Sequence, residues 1–265
     1  MSNARTLASY ASNFPSFRNR IINGNLSNPI NQRSAASITA STGYTYDRWY
    51  YDGSTYLYQG IEDKNVNNGT YVISWEGSGI NAAWKVSTDT TAGNGPDATT
   101  GFTSVSNGGT FTVNEGTEYS KHLWIRFDGT LANLDKVMVE EGTVATPFEH
   151  RPISVELSLA QRYYQRFTAY SAYTLFGLGE VDATDTAATG VINLMQSMRA
   201  IPTVSSLYTA IQLGGIIQSQ SPTFGGTGPS LIQYNPNSFT GSAGSAFRIL
   251  ADNNINAYIE ADAEL

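Results

Sequence analysis

Between residues 21 and 152 the apolar positions come in short runs separated by turn residues. Residues 44–57 are dense in Tyr and Trp, and residues 71–75, 83–87, 110–113, 123–127 and 136–139 are short apolar or alternating runs. Between them lie Asp52-Gly53, Asn68-Gly69, Asn107-Gly108-Gly109 and Asp128-Gly129, the residue types that close tight hairpins. Short strands punctuated in this way predict an antiparallel sandwich, because each half-buried strand needs a second layer over its apolar face. The polar stretch over residues 88–101 predicts a long loop, of the kind that is functional or mobile in a compact domain. Ahead of the strands, Leu7, Ala11 and Phe14 recur at spacings of 4 and 3 and stop at Pro15. They predict a short helical arm over residues 2–14, too short to be stable without a partner surface.

The period changes at residue 153. Ile153, Leu157, Ala160, Tyr164 and Phe167 recur at spacings of 4, 3, 4 and 3, which predicts a helix over 153–167. Pro152 stands at its entry, Ser154 offers a capping hydroxyl, and Glu156 falls in the first turn, where the helix dipole favours a carboxylate. This seam suits either packing on the protein's own sheet or a symmetric helix bundle. Beyond it, apolar patches at 173–178, 191–198, 204–217, 230–234, 246–250 and 257–259 alternate with Gly, Ser, Pro and Asn. They predict a second β domain, with a long loop over 219–230. The expected class is all-β: an arm over 1–20, a β-sandwich over 21–152, a linking helix over 153–168 and a C-terminal β-sandwich domain over 169–265.

Composition narrows the function classes. The chain of 265 residues is 40% hydrophobic and 12% aromatic, enough to fill two cores and too much for disorder. Only 14% of it is charged, against roughly 25% in an ordinary domain. Lys and Arg total 15 against 22 Asp and Glu, a net charge of −7, and Lys64, Lys85, Lys121 and Lys136 are scattered. That pattern argues against nucleic acid, whose binding rests on cations neutralising phosphates. No apolar run approaches the ~20 residues that span a bilayer, so no membrane insertion is expected. Residues 1–10 lack the basic start and apolar stretch of a secretory signal, and export by the general route is not expected. With no Cys, disulfides and thiolate sites are excluded.

Enzyme chemistry finds little to work with. His122 opens a strand run and His150 sits in Phe148-Glu149-His150-Arg151-Pro152; two imidazoles without Cys supply only half a zinc site. No Gly-x-Ser-x-Gly elbow and no phosphate loop occurs. Gly77-Ser78-Gly79 and Gly93-Asn94-Gly95 lie among strand and loop signals and are turns, not a dinucleotide fingerprint. Glu140 and Glu141 are adjacent on a strand and face opposite sides, and Asp182 and Asp185 fall in a small-residue loop. A glycan-cleaving enzyme would need distant acids to converge. Asp89, Asn94 and Asp97 offer oxygens to a calcium ion but lack the EF-hand spacing, so no metal and no cofactor are expected.

The aromatic surplus is the feature to explain. The 16 Tyr and 4 Trp exceed what the cores require, and a tyrosine hydroxyl wants water or a hydrogen bond. Flat rings beside amides and hydroxyls suit sugar faces, and they equally suit protein contacts. The candidate ligand-binding residues are Trp75 and Trp84, which either flank a groove on the sandwich or fill its core, and in the distal domain Tyr170, Tyr173, Phe176, Phe224 and Tyr234. The distal set is preferred, because recognition clusters on loops held by a rigid scaffold. Asp47 and Arg48, beside Trp49, are expected to form an ion pair at the core edge with Arg48 stacked on a ring. Glu140, Glu149 and Arg151 are expected to bridge the sandwich to the helix.

Several segments resemble a known family. Arg20-Ile21-Ile22-Asn23-Gly24-Asn25, Ile30-Asn31-Gln32-Arg33 and Tyr44-Thr45-Tyr46-Asp47-Arg48-Trp49 look like the opening of phage and prophage tail fibre proteins. Lys136-Val137-Met138-Val139-Glu140-Glu141-Gly142-Thr143-Val144-Ala145-Thr146-Pro147-Phe148-Glu149-His150-Arg151-Pro152, running on to Leu159-Ala160-Gln161-Arg162-Tyr163-Tyr164, is similar to the segment that closes their first domain. Met198-Arg199-Ala200-Ile201-Pro202-Thr203 and Asp262-Ala263-Glu264-Leu265 fit as well. The resemblance implies a jelly-roll β-sandwich of carbohydrate-binding type followed by a linking helix and a distal β domain. It also implies a homotrimer on the virion, built in the host cytoplasm beside other virion tail proteins, that adheres to host cell-surface polysaccharide without catalysis. A structural virion protein, either capsid decoration or tail adaptor, is the alternative.

Overall fold

The computed structural model describes residues 17–87, 100–114, 122–181, 188–213, 216–218, 223–235 and 242–264. The expected arm over 2–14, most of the expected loop over 88–101, Asp182 and Asp185 lie outside the described residues. What is described is mostly β: four sheets with antiparallel pairing and one short α-helix.

The first unit holds β1 (Gly43–Tyr44), β2 (Tyr50–Tyr51), β3 (Leu57–Ile61), β4 (Gly69–Glu76), β5 (Ile80–Ser87), β6 (Thr103–Val105), β7 (Thr110–Val113), β8 (His122–Gly129) and β9 (Asp135–Glu141). They form a six-stranded sheet in the order β1-β2-β3-β8-β5-β6 and a three-stranded sheet β7-β4-β9. Alternation decides which side each residue takes. Leu123, Ile125 and Phe127 of β8 join Ile73, Trp75, Phe111, Val137 and Val139 of the other sheet in one buried cluster. Trp124, between them, packs on the opposite side with Tyr58, Ala160 and Tyr163. The open edge of β9 is covered by the incoming chain, with Arg20 N donating to Val139 O (2.7 Å) and Val137 N to Gly24 O (2.9 Å).

At Asn23-Gly24 the left-handed residue is Asn23, at φ 60°. Its side chain holds the turn: Nδ2 donates to the Ile30 and Asp47 carbonyls, and Oδ1 accepts from Ile30 N. Gly24 is needed for a different reason, because a Cβ there would run into the Val137 carbonyl. No hairpin closes at Asp128-Gly129: the two residues end β8 and pair with Asn81 and Ile80 of β5, with Gly129 at φ 91°.

Helix α1 spans Ile153–Gln161 and stops there. The expected continuation to Phe167 is instead strand β10 (Tyr164–Thr168), paired with β19 (Tyr258–Asp262) from the far end of the chain. The aromatic run Tyr163-Tyr164 favours a pleated surface, and the partner that fixes it lies about a hundred residues on, beyond any local periodicity. Ser154 makes no cap: Val155 N and Glu156 N donate to the Pro152 carbonyl. Glu156 does stand in the first turn.

The second unit adds β11 (Leu175–Val181), β12 (Ala188–Asn193), β13 (Thr203–Leu207), β14 (Thr209–Leu213), β15 (Ile216–Gln218), β16 (Thr223–Gly228), β17 (Leu231–Asn235) and β18 (Ala246–Ala251). A seven-stranded sheet in the order β15-β14-β18-β11-β12-β17-β16 lies with a three-stranded sheet β10-β19-β13. Ile192, Ile211, Ile232, Phe247 and Ile249 of the larger sheet share a core with Ile259 and Ala261 of the smaller. Part of the expected loop over 219–230 is the edge strand β16, because Thr223–Gly228 finds a partner in β17.

The two units are tied by charge in the interior. Glu264 is fully buried and receives the Arg48 guanidinium, itself fully buried, in a direct ion pair. Arg33 reaches Asp262 Oδ2 at 2.9 Å and Glu264 Oε1 at 3.5 Å, and Arg48 N donates to Glu264 Oε1 at 3.1 Å. Arg199 donates to the Ala263 and Glu264 carbonyls. The expected Asp47–Arg48 pair is therefore replaced by Arg48–Glu264. The stacking expectation is met by a ring from across the junction, with Arg48 lying 3.5 Å from the centre of Tyr163.

Removing one member of a buried pair strands the other charge, typically at about 3–5 kcal/mol, whereas replacing both with apolar groups costs far less. Glu264→Gln is expected to lower the unfolding free energy by about that amount, and Arg48→Met combined with Glu264→Leu by less than Glu264→Gln alone. Denaturant unfolding of the full chain checks both.

Candidate functional site

The junction gathers several titratable groups, among them Glu62, Asp262 and Glu264 facing arginines. Glu62 receives Arg162 on both oxygens and the Tyr163 hydroxyl at 3.2 Å. Burial pulls the Glu62 carboxyl upward, but Arg162 outweighs it and holds the group below its ordinary value. Glu260 accepts the Tyr164 hydroxyl at 2.6 Å, and the Arg33 guanidinium lies 3.7 Å from the centre of the Tyr164 ring. Asp47 differs. It is fully buried, its Oδ2 accepts from the Gln32 side chain at 2.8 Å, and its Oδ1 has no partner. Burial pushes its carboxyl up to about 7, and the Gln32 hydrogen bond and the nearby Arg33 offset only part of that.

The expected bridge from sandwich to helix is made by Glu149 and Arg151. Glu149 accepts from Arg18 N and Asn19 N, while Arg151 donates to the Ile21 carbonyl and pairs with Glu156 at 3.0 Å. Glu140 instead accepts from the backbone and hydroxyl of Thr146. His122 is buried, with Nδ1 accepting from Asp63 N at 3.2 Å, and burial lowers its pKa. Among the described residues no three His, Asp or Glu stand together in a metal-holding arrangement. The calcium candidates Asp89, Asn94 and Asp97 lie outside the described residues.

Outside the junction, two surfaces present recognition chemistry. The first is the turn between β10 and β11. Tyr170 is 82% exposed and Tyr173 52%, yet the backbone under them is fixed. Thr174 Oγ1 accepts from Tyr170 N and Ser171 N and donates to the Ser171 carbonyl. Phe176 is half-buried against Ala169, Ala251 and Ala257, so it supports the turn rather than sharing its surface. Phe224 and Tyr234 are directly opposite each other on β16 and β17; their side chains lie outside what is described.

The second surface is an open groove of about 640 Å³ at the β5–β6 end of the six-stranded sheet. Its wall includes Trp75, Ile80 and Val105, and its polar groups come from Asn81, Ser104, Ser106, Asn107 and Asp128. Asn107 is occupied with structure, its amide bonding both N and O of Trp75. Asn81 and Asp128 are cross-strand partners on β5 and β8, joined by Nδ2 to Oδ1 at 2.7 Å.

Trp75 resolves to the core, and Trp84 packs half-buried against it. Trp75 is 8% exposed and meets Phe127 edge-on, with only its margin on the groove, and Trp84 stacks on Phe111 at 4.8 Å. Sequence reasoning missed the Asn81–Asp128 pair, because the two residues are 47 positions apart and only the β5–β8 register makes them neighbours. No family model, curated protein or solved structure matches the chain.

Asp47 makes stability depend on pH. A native carboxyl held up to about 7 keeps its proton where the unfolded chain, near 3.8, has lost it. Its contribution therefore falls as pH rises between those values and is flat above them, with a slope of at most about 1.4 kcal/mol per pH unit. Asp47→Asn is expected to remove that slope, gaining on the parent chain progressively from pH 4 to pH 8. Thermal unfolding across the range reads it.

Proposed function

We propose that this chain is a non-catalytic adhesin of phage tail fibre type, with a first unit of jelly-roll kind and a distal β-sandwich that together hold a host cell-surface polysaccharide. One observation carries the reading. The segments that resemble the tail fibre family are dispersed in sequence, yet they meet in space at the junction. Asn23, Gln32, Arg33, Asp47 and Arg48 come from the opening segments, Tyr163 and Tyr164 from the closing one, and Arg199, Asp262 and Glu264 from the last two. What resembles the family is thus the frame that joins two β units, and such a frame leaves recognition to surfaces outside it.

The exposed Tyr170 and Tyr173, on a turn already ordered by Thr174, are what a sugar face requires: aromatic area with little entropy left to lose. On this reading the chain assembles as a homotrimer on the virion, put together in the host cytoplasm with other tail proteins. A structural virion role is the second reading. It draws on Leu178 and Val191, 59% and 43% exposed on neighbouring strands of the seven-stranded sheet, which suit subunit contact as well as any ligand.

Tyr170→Ala and Tyr173→Ala are each expected to weaken binding to host cells or to an arrayed glycan about tenfold, the worth of roughly 1–1.5 kcal/mol for one ring stack. The melting temperature should stay within the small range of surface substitutions. Light scattering of the full chain should give three copies. Unchanged adsorption in both variants, or no binding of the parent chain to any host glycan, would turn the assignment toward the structural role.

A further inference from the structure

We propose that the groove at the β5–β6 end of the first unit is a second saccharide site, in which the Asn81–Asp128 pair grips two adjacent hydroxyls of a neutral pyranose. This rests on the saccharide-binding reading above and adds a site on the other unit. The argument begins with hydrogen-bond capacity. A carboxylate only accepts, so Asn81 must turn its NH2 toward Asp128, and one N–H is spent in the 2.7 Å bond. The pair keeps a second N–H and an Oδ1 on Asn81 and the other carboxylate oxygen of Asp128. A donor and acceptors are therefore held side by side by the pairing of β5 and β8. A hydroxyl both gives and takes a hydrogen bond, so a vicinal diol satisfies the pair where water would have to be ordered.

Position and surroundings add to this. The pair sits directly across β5 and β8, inner strands of the six-stranded sheet, and so is held without the cost of ordering a loop. The turn beside it is rigid: Gly79 and Gly129 take φ of 72° and 91°, and a Cβ on Gly129 would strike the Gly79 carbonyl. The groove, about 640 Å³, falls within the roughly 300–1,000 Å³ of small-molecule sites. The hydroxyls of Ser104 and Ser106 and the apolar groups of Ile80 and Val105 offer a ring both polar and C–H contacts. Among the described residues Asp128 is the only charged one lining it, so an acidic sugar would meet a like charge there. Neutral sugars are selected.

The test uses the full chain and saturation-transfer NMR with methyl glucoside, methyl galactoside and methyl mannoside. Their deoxy analogues lacking one member of a vicinal pair, and glucuronate, serve as controls. Binding is expected for at least one neutral glycoside, with at least a tenfold loss on removing a single hydroxyl and no signal from glucuronate. Asn81→Ala and Asp128→Asn should each lose at least tenfold, in the parent chain and in a Tyr170→Ala background alike. The deoxy series on the parent chain decides the matter if either groove variant melts early. Groove variants that bind like the parent overturn the site while leaving adhesion through the distal turn standing. Binding abolished by a chelator overturns direct contact in favour of a bridging cation. A parent chain silent to every glycan overturns the site and the saccharide reading together.

Discussion

A carboxylate that no water reaches governs the way this chain is put together. Glu264 is buried with the Arg48 guanidinium against it and Arg33 alongside. Such a charge is tolerated only with opposite charge and hydrogen bonds on every side, so residues 33, 48, 199 and 264 have to be placed by the same folding event. Arg48 and Arg33 come from the first unit, and Glu264 follows β19, the central strand of the three-stranded sheet in the second. The joint between the units is therefore a piece of interior. Stacking of Arg48 on Tyr163 and of Arg33 on Tyr164 adds contacts that lysine could not make.

That arrangement bears on function by using up reactive groups. In a chain so poor in charge, the described acids with strong partners, Glu62, Asp262 and Glu264, face arginines across the joint. The surface also carries amide, hydroxyl and ring, the chemistry of weak and reversible contact. Two positions offer it in ordered form: the tyrosine turn over Thr174 and the groove beside Asn81 and Asp128.

Several parts of the fold were legible in the sequence. Strands β4, β5, β7, β8 and β9 fall where apolar runs or alternation placed them, because a half-buried strand must repeat every second residue. The glycine turns at Gly53 and Gly108 do take positive φ. The opposite faces of Glu140 and Glu141 follow from the same repeat, the first buried and the second exposed. Where the sequence misled, a distant partner had prevailed over a local signal. Residues 164–168 fit a helical seam, but β19 recruits them as a strand. Thr223–Gly228 has the composition of a loop, but β17 makes it an edge.

The sequence by itself determined that this is a mostly β protein, rich in rings and short of charge. Those are properties of composition and of repeats only a few residues long. Tertiary structure alone decided which charges meet: Arg48 chose Glu264, 216 positions away, over its neighbour Asp47. It also decided that Trp75 fills the core, that Trp84 packs half-buried against it, and that Asn81 stands across from Asp128. Such pairings depend on strand register and sheet order, which are set by the burial of the whole chain at once and leave no mark on any single stretch of it.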